Sequence, residues 1–140
     1  MVVASETTYF QQAFHNVGLV PDGGAVHFLS QRLGISRAKD LVMTGRKLAA
    51  GEAFDWGLIN RLVPDGDLER ETLDLASQLA AGPTYIIGMT KKMFAASTVP
   101  SLHNLLEVES FAASVARSSA DHREGVTAFK EKRKPQFVGE

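Results

Sequence analysis

At 140 residues the chain has the length of one domain, enough to bury roughly two-thirds of its unfolded surface. Its net charge of −1 offers no field to draw in a polyanion, which excludes nucleic acid and charged membrane surfaces as first-choice partners. Cysteine is absent, so disulfides, thiol nucleophiles and thiolate metal sites are excluded and a reducing compartment is expected.

MVVAS (1–5) is a short β-branched run that predicts a strand, and a second extended piece is expected near Tyr9 and Phe10. With nothing before it to pair with, MVVAS reads as an interior strand of a larger fold. The start MVVASETTYF also lacks the basic residues and long apolar core of a secretion signal, and no run reaches the roughly 20 apolar residues of a membrane span. The expected location is cytoplasmic.

In VGLVPDGGAV (17–26) the apolar Val17, Leu19 and Val20 read as an extended run stopped by Pro21, with Asp22 set before Gly23 and Gly24. A helix from about Gly24 to Leu33 should end at Gly34. Ser36 then caps a second helix, RAKDLVMT (37–44), which Gly45 ends. GEAFDW (51–56) predicts a short helix stopped by Gly57, and LINRLV (58–63) a strand.

Asp65 and Gly66 mark a turn, and Asp67 is placed to cap a helix carrying Leu68, Thr72, Leu75 and Leu79. Gly82 and Pro83 break it, and Pro83 opens the next helix, TYIIGMTKKMFAAS (84–97), at its first position. A break is expected over 98–101. Beyond it Leu102, Leu105, Leu106, Val108, Ala112, Val115 and Ala116 form a broad apolar face. Asp121 and Glu124 have capping-box spacing before a last helix with Val126 and Phe129, ended by Pro135. The strands are too few to make a sheet of their own.

Several chemistries find no pattern. His15, His27, His103 and His122 lack the spacing of a metal site, so no metal is expected. Ser30, His27 and Asp22 could compose a catalytic triad on paper, but no nucleophile-elbow glycines surround the serine. The glycines at 23 and 24 continue into neither a phosphate loop nor a dinucleotide fingerprint. KEKRK (130–134) reads as a solvated helix end whose cations suit the dipole, or as a phosphate contact. Asp22 has two readings: a turn and cap residue, or an active-site acid or base.

Three features together carry a resemblance: the GLVPDGG turn (18–24), the RAKDLVMTG helix (37–45) and the GEAFDWGLINRLV unit (51–63). The tail SSADHREGVTAFKEKRKPQF (118–137) adds a fourth. From about Val2 to Phe137 the chain resembles the enoyl-CoA hydratase/isomerase family of the crotonase superfamily, specifically its C-terminal half. The resemblance implies an α/β, crotonase-like fold, of which this chain is the mainly helical C-terminal half with a few short strands. Residues 1–100 would then hold edge strands, the active-site turn and helices of the core, and residues 101–140 a helical region for oligomerisation and coenzyme A contact.

What the resemblance implies about chemistry is less uniform, because hydratases, isomerases, dehalogenases and decarboxylases share this scaffold. The family's N-terminal half supplies the two backbone N–H donors for the thioester oxygen and one of the hydratase glutamates. The other hydratase glutamate would stand at Phe14. Water addition by paired carboxylates is therefore not expected, and the chain alone is expected to be inactive even where a complete parent is an enzyme.

Asp22 remains, at a turn where isomerase-like and dehalogenase-like members place an aspartate beside the thioester. The implied reading is proton transfer on an acyl-CoA thioester through an enolate, with Asp22 catalytic and Phe14, Val20, Pro21 and Gly23 lining the substrate pocket. Phe14 and Val20 serve equally well as core. Phe129 and Lys132 match positions that contact the nucleotide end of coenzyme A, although Phe129 alone reads equally as a core anchor. Trp56 reads as packing. No cofactor is implied beyond the coenzyme A of the substrate, and a homo-oligomer, trimer or hexamer, is expected. The alternative is a truncated, non-catalytic fragment serving assembly or weak coenzyme A binding.

Overall fold

In the computed structural model, which describes residues 1–97 and 102–140, β1 (Val3–Ser5) lies parallel to β4 (Arg61–Val63) in the register Val3 to Arg61 and Ser5 to Val63. β2 (Tyr9–Gln11) pairs antiparallel with β3 (Lys47–Ala49), Phe10 opposite Leu48. Among the described residues each sheet has two strands. LINRLV becomes a strand only in its last three residues, while Ile59 before it is buried in the core.

The chain divides into two compact units, residues 1–73 and 74–140. In the first, α1 (Ala25–Thr44), the short α2 (Ala50–Asp55) and the strands enclose a core of Ala4, Leu33, Leu41, Leu48, Ala53 and Ile59. Leu48 is 0% exposed, so truncating it to Ala should cost about 2–5 kcal/mol. Trp56 packs half-buried against this cluster, with the Arg37 and Arg46 guanidiniums 4.8 and 5.2 Å from its ring centroid.

Gly34 divides α1. Its φ of 76° and ψ of 157° interrupt the helical geometry at the expected stop, yet the two segments run on without a loop. Ser36, expected as the cap of the second segment, is itself helical. Gly45 ends that segment in the left-handed conformation, its N–H bonded to the Leu41 carbonyl.

The expected extended run from Val17 to Val20 does not form. Residues Ala13–Val17 make a 3₁₀ turn, closed by left-handed Gly18 whose N–H reaches the carbonyls of His15 and Phe14. The Leu19 N–H then bonds back to the Phe14 carbonyl. Local turn bonds thus win over β-branched propensity in this segment.

α3 (Leu68–Ala80) follows a short 3₁₀ turn, Asp65–Asp67, and runs across the boundary between the units. None of its residues is fully buried. In the second unit α4 (Thr84–Ala96) packs on α5 (Leu102–Ser118), and α5 on α6 (Ala120–Glu131). Pro83 is the N-cap of α4 rather than its first helical residue. On α5, Ala112 is buried and Leu105, Val115 and Ala116 half-buried, whereas Leu106 and Val108 stay exposed. The expected break over 98–101, and with it the expected division at 100/101, lies outside the described residues.

The capping box proposed for α6 is replaced by a different arrangement. Ser119 is the N-cap, its Oγ accepting the His122 N–H at 2.9 Å. Asp121 and Glu124 instead hold the C-terminal tail, as described below.

Candidate functional site

The Asp22 turn is built from glycines that the backbone requires. Gly23 and Gly24 have φ of 58° and 77°, and a Cβ on Gly24 would stand 2.9 Å from the Phe28 ring. The Ala25 N–H bonds to the Asp22 carbonyl, and Gly24, not Asp22, is the N-cap of α1. No side chain caps this helix. The Asp22 carboxylate is exposed, with no hydrogen bond or ion pair to it among the described residues. That removes the capping role from Asp22 and leaves an unengaged carboxylate just ahead of a helix N-terminus.

An open groove of about 710 Å³ lies beside the turn, lined by Pro21, Gly24, Ala25, Val26, His27, Ser30 and Gln31. Of the expected pocket residues it includes Pro21. Asp22 and Gly23 adjoin it in the chain without lining it. Phe14 is half-buried in the 3₁₀ turn and Val20 is 82% exposed, so neither forms a groove wall in the described residues. His27 and Ser30 do share the groove, but no hydrogen bond joins them, and the His27 ring stands edge-on to Phe28 at 5.3 Å. The triad composed on paper is not assembled.

A second groove, of about 470 Å³ and mostly apolar, belongs to the second unit. Pro83, Ile86, Val126, Phe129, Lys130 and Phe137 are among its lining residues. Phe129 is 85% exposed, so it is no core anchor. Lys132 does not line the groove; it terminates α6 in the left-handed conformation at φ 55°, and Lys130 supplies the groove's cation. Sequence reading offered Lys130 only within KEKRK, as a solvated helix end or a phosphate contact, and did not single out Phe137. The spacing of Val126, Phe129 and Lys130 on one helix face was the available signal for Lys130.

Glu124 is held well below its ordinary value, at about 2, by its hydrogen bonds from Arg133 and then by the Gln136 N–H. Arg46 binds Asp40 through Nε at 2.7 Å and both oxygens of Glu52 through its terminal nitrogens, and this lowers the Glu52 carboxyl. Among the described residues no group of three His, Asp or Glu gathers to hold a metal ion, and no helix is long and apolar enough to cross a membrane.

The fold is crotonase-like. The structure superposes with a TM-score of 0.95 on the enoyl-CoA hydratase subunit I of Geobacillus kaustophilus, at 33% identity over 99% of this chain and 54% of that one. The family model for enoyl-CoA hydratase/isomerase matches residues 1–140, and the chain belongs to that family. It is 37% identical to the 1,2-epoxyphenylacetyl-CoA isomerase of Escherichia coli over 99% of its own length and 53% of that protein's. With a probable enoyl-CoA hydratase of Rhodobacter capsulatus it shares 39% identity over 99% of this chain and 54% of the relative. The chain therefore spans about half the length of the curated relatives it matches.

Proposed function

We propose that this chain is the C-terminal half of an acyl-CoA-processing protein of the family, isomerase-like in chemistry, with Asp22 as the proton-carrying acid and base. The resemblance of the 118–137 tail to the family's C-terminal pattern, read in the sequence, supports the assignment of the half. The observation that carries the chemistry is the exposed Asp22 carboxylate, free of any cap or ion pair, on a glycine turn beside an open groove.

In the proposed reaction, Asp22 removes a proton from a carbon flanking the double bond of an enoyl thioester. The C–H electrons move through the conjugated system onto the thioester oxygen, giving an enolate. The protonated Asp22 returns its proton to the carbon at the other end of that system, so the double bond migrates and no atom is gained or lost. The N–H donors for the enolate oxygen come, in this reading, from the half of the family's length that this chain does not span; each is worth about two to three orders of magnitude in rate. Phe129, with Lys130 and Lys132, contacts the nucleotide end of coenzyme A.

The test joins this chain to the complementary half and compares it with its Asp22→Asn variant. Turnover in double-bond migration, with solvent deuterium uptake, is expected to fall at least about 100-fold while product binding stays within a few-fold. Unchanged turnover would overturn the role of Asp22.

A homo-oligomer is part of the proposal. Val17, Leu19, Val20, Val26 and Phe28 in the first unit, and Phe94, Phe111 and Phe129 in the second, are large apolar side chains left exposed. The same exposure favours the assembly-module reading for the chain on its own. Light scattering at tens of micromolar should show self-association; a clean monomer would count against both.

A further inference from the structure

Asp121 is 1% exposed, one of the two largest fully buried side chains, and among the described residues no ion pair engages it. A buried carboxylate is costly unless hydrogen-bonded, and here the donors come from the tail. Its oxygens accept the Val138 N–H at 2.7 Å and the Gly139 N–H at 3.1 and 3.3 Å, while its own N–H donates to the Glu140 carbonyl at 2.9 Å. Because Ser119 already serves as the helix cap, Asp121 is free for this task.

One residue lies between the tail's two fastenings. Glu124 accepts the Gln136 N–H at 2.7 Å, Asp121 the amides of 138 and 139, and Phe137 sits between them. A Cβ on Gly125 would lie 3.6 Å from the Phe137 ring, so the ring rests in ordinary contact range of a helix position that carries no side chain. Phe137 also lines the apolar groove that holds Phe129 and Lys130. Backbone amides clamped on both sides of one aromatic residue fix where its ring stands.

The geometry points to Asp121 as a positioning residue for ligand binding: through the tail amides it holds Phe137 as a wall of the groove. Two phenyl rings and a lysine suit a flat ring system bearing an anionic group, and the ligand is taken to be the nucleotide end of coenzyme A, which rests on the proposed function. Asn at 121 keeps the shape but has one acceptor oxygen for these amides and sets an NH₂ against the Gly139 N–H, so it should loosen the hold on the tail while leaving α6 in place.

The experiment uses the full 140-residue chain with coenzyme A as the probe. Wild type, Asp121→Asn, Phe137→Ala and the double variant are compared by calorimetric binding and by amide hydrogen exchange. Asp121→Asn is expected to speed exchange at Val138 and Gly139 at least about tenfold and to weaken coenzyme A binding about as much as Phe137→Ala does. Amides of Gly125 to Ala128 should keep their protection, which separates release of the tail from unfolding. The double variant should lose no more affinity than either single one, because both act on the same ring.

Additive losses, or unchanged affinity in Asp121→Asn when wild type binds, would overturn the positioning role alone. Wild type that fails to bind coenzyme A would overturn the assignment of the groove and this inference with it. If Asp121→Asn does not fold, the Phe137→Ala variant still decides whether the ring contributes to binding; unchanged affinity there overturns the inference.

Discussion

Arg133 meets both oxygens of Glu124, at 2.6 and 2.9 Å, from nine residues further along the chain. The helix ends between the two, so this forked pair closes a loop rather than bracing a helix face.

Glu124 supplies the first prediction. Its carboxyl titrates at about 2 in the folded protein against an ordinary 4.5. A depressed acid contributes stability that is fully present above 4.5 and is lost as pH falls toward 2. Carboxyl-carbon NMR through this range should show Glu124 titrating near the bottom of it, with the Gln136 amide signal following. Arg133→Ala should return the midpoint toward 4.5, and a wild-type midpoint already there would refute the pairing.

Arg46 is the second. Its guanidinium bonds Asp40 and Glu52 at once and lies over the Trp56 ring, a combination that a point-charged ammonium cannot reproduce. Arg46→Lys should therefore recover less than about half of the melting-temperature loss of Arg46→Ala, with a matching change in Trp56 fluorescence. Full recovery by lysine would mean that charge alone matters here.

Asp22 is the third. A residue that capped α1 would cost about 1 kcal/mol on truncation to Ala. Because Gly24 holds that position with no side-chain cap, Asp22→Ala should leave stability within about 0.5 kcal/mol of wild type in urea unfolding. A larger loss would restore the structural role.

Two glycines give the fourth, with opposite signs. Gly88 lies within α4 and a Cβ there meets nothing within 4 Å, so Gly88→Ala should stabilise by about 0.5–1 kcal/mol. Gly34 has a φ and ψ that only glycine adopts readily, so Gly34→Ala should destabilise by about 1–3 kcal/mol. Chemical denaturation of both variants checks the pair.

The helices were legible because glycine and proline punctuate them: Gly45 ends the second segment of α1, Gly57 follows α2, and Gly82 and Pro83 separate α3 from α4. β3 was not, since Lys47–Ala49 has one inward residue, Leu48, and becomes a strand only by pairing with β2. The Asp22 turn was visible as Pro-Asp-Gly-Gly, but two left-handed glycines, not the aspartate, start the helix. Asp121 carried capping spacing in the sequence. Its actual donors lie 17 and 18 residues away, beyond any local pattern.

The parallel pairing of β1 with β4 bears on how the first unit reaches its native state. The Val2 and Thr7 amides both find side-chain partners 58 residues on, and the β2 and β3 pair is nested inside that span. Closing such a loop costs entropy before any strand contact repays it, whereas α4, α5 and α6 pack against their chain neighbours. The rate-limiting step of refolding should therefore be the meeting of residues 2–7 with 60–65, after the helices of 74–140 have formed. Pulsed hydrogen exchange should show the α5 and α6 amides protected before that of Arg61; simultaneous protection would contradict this order.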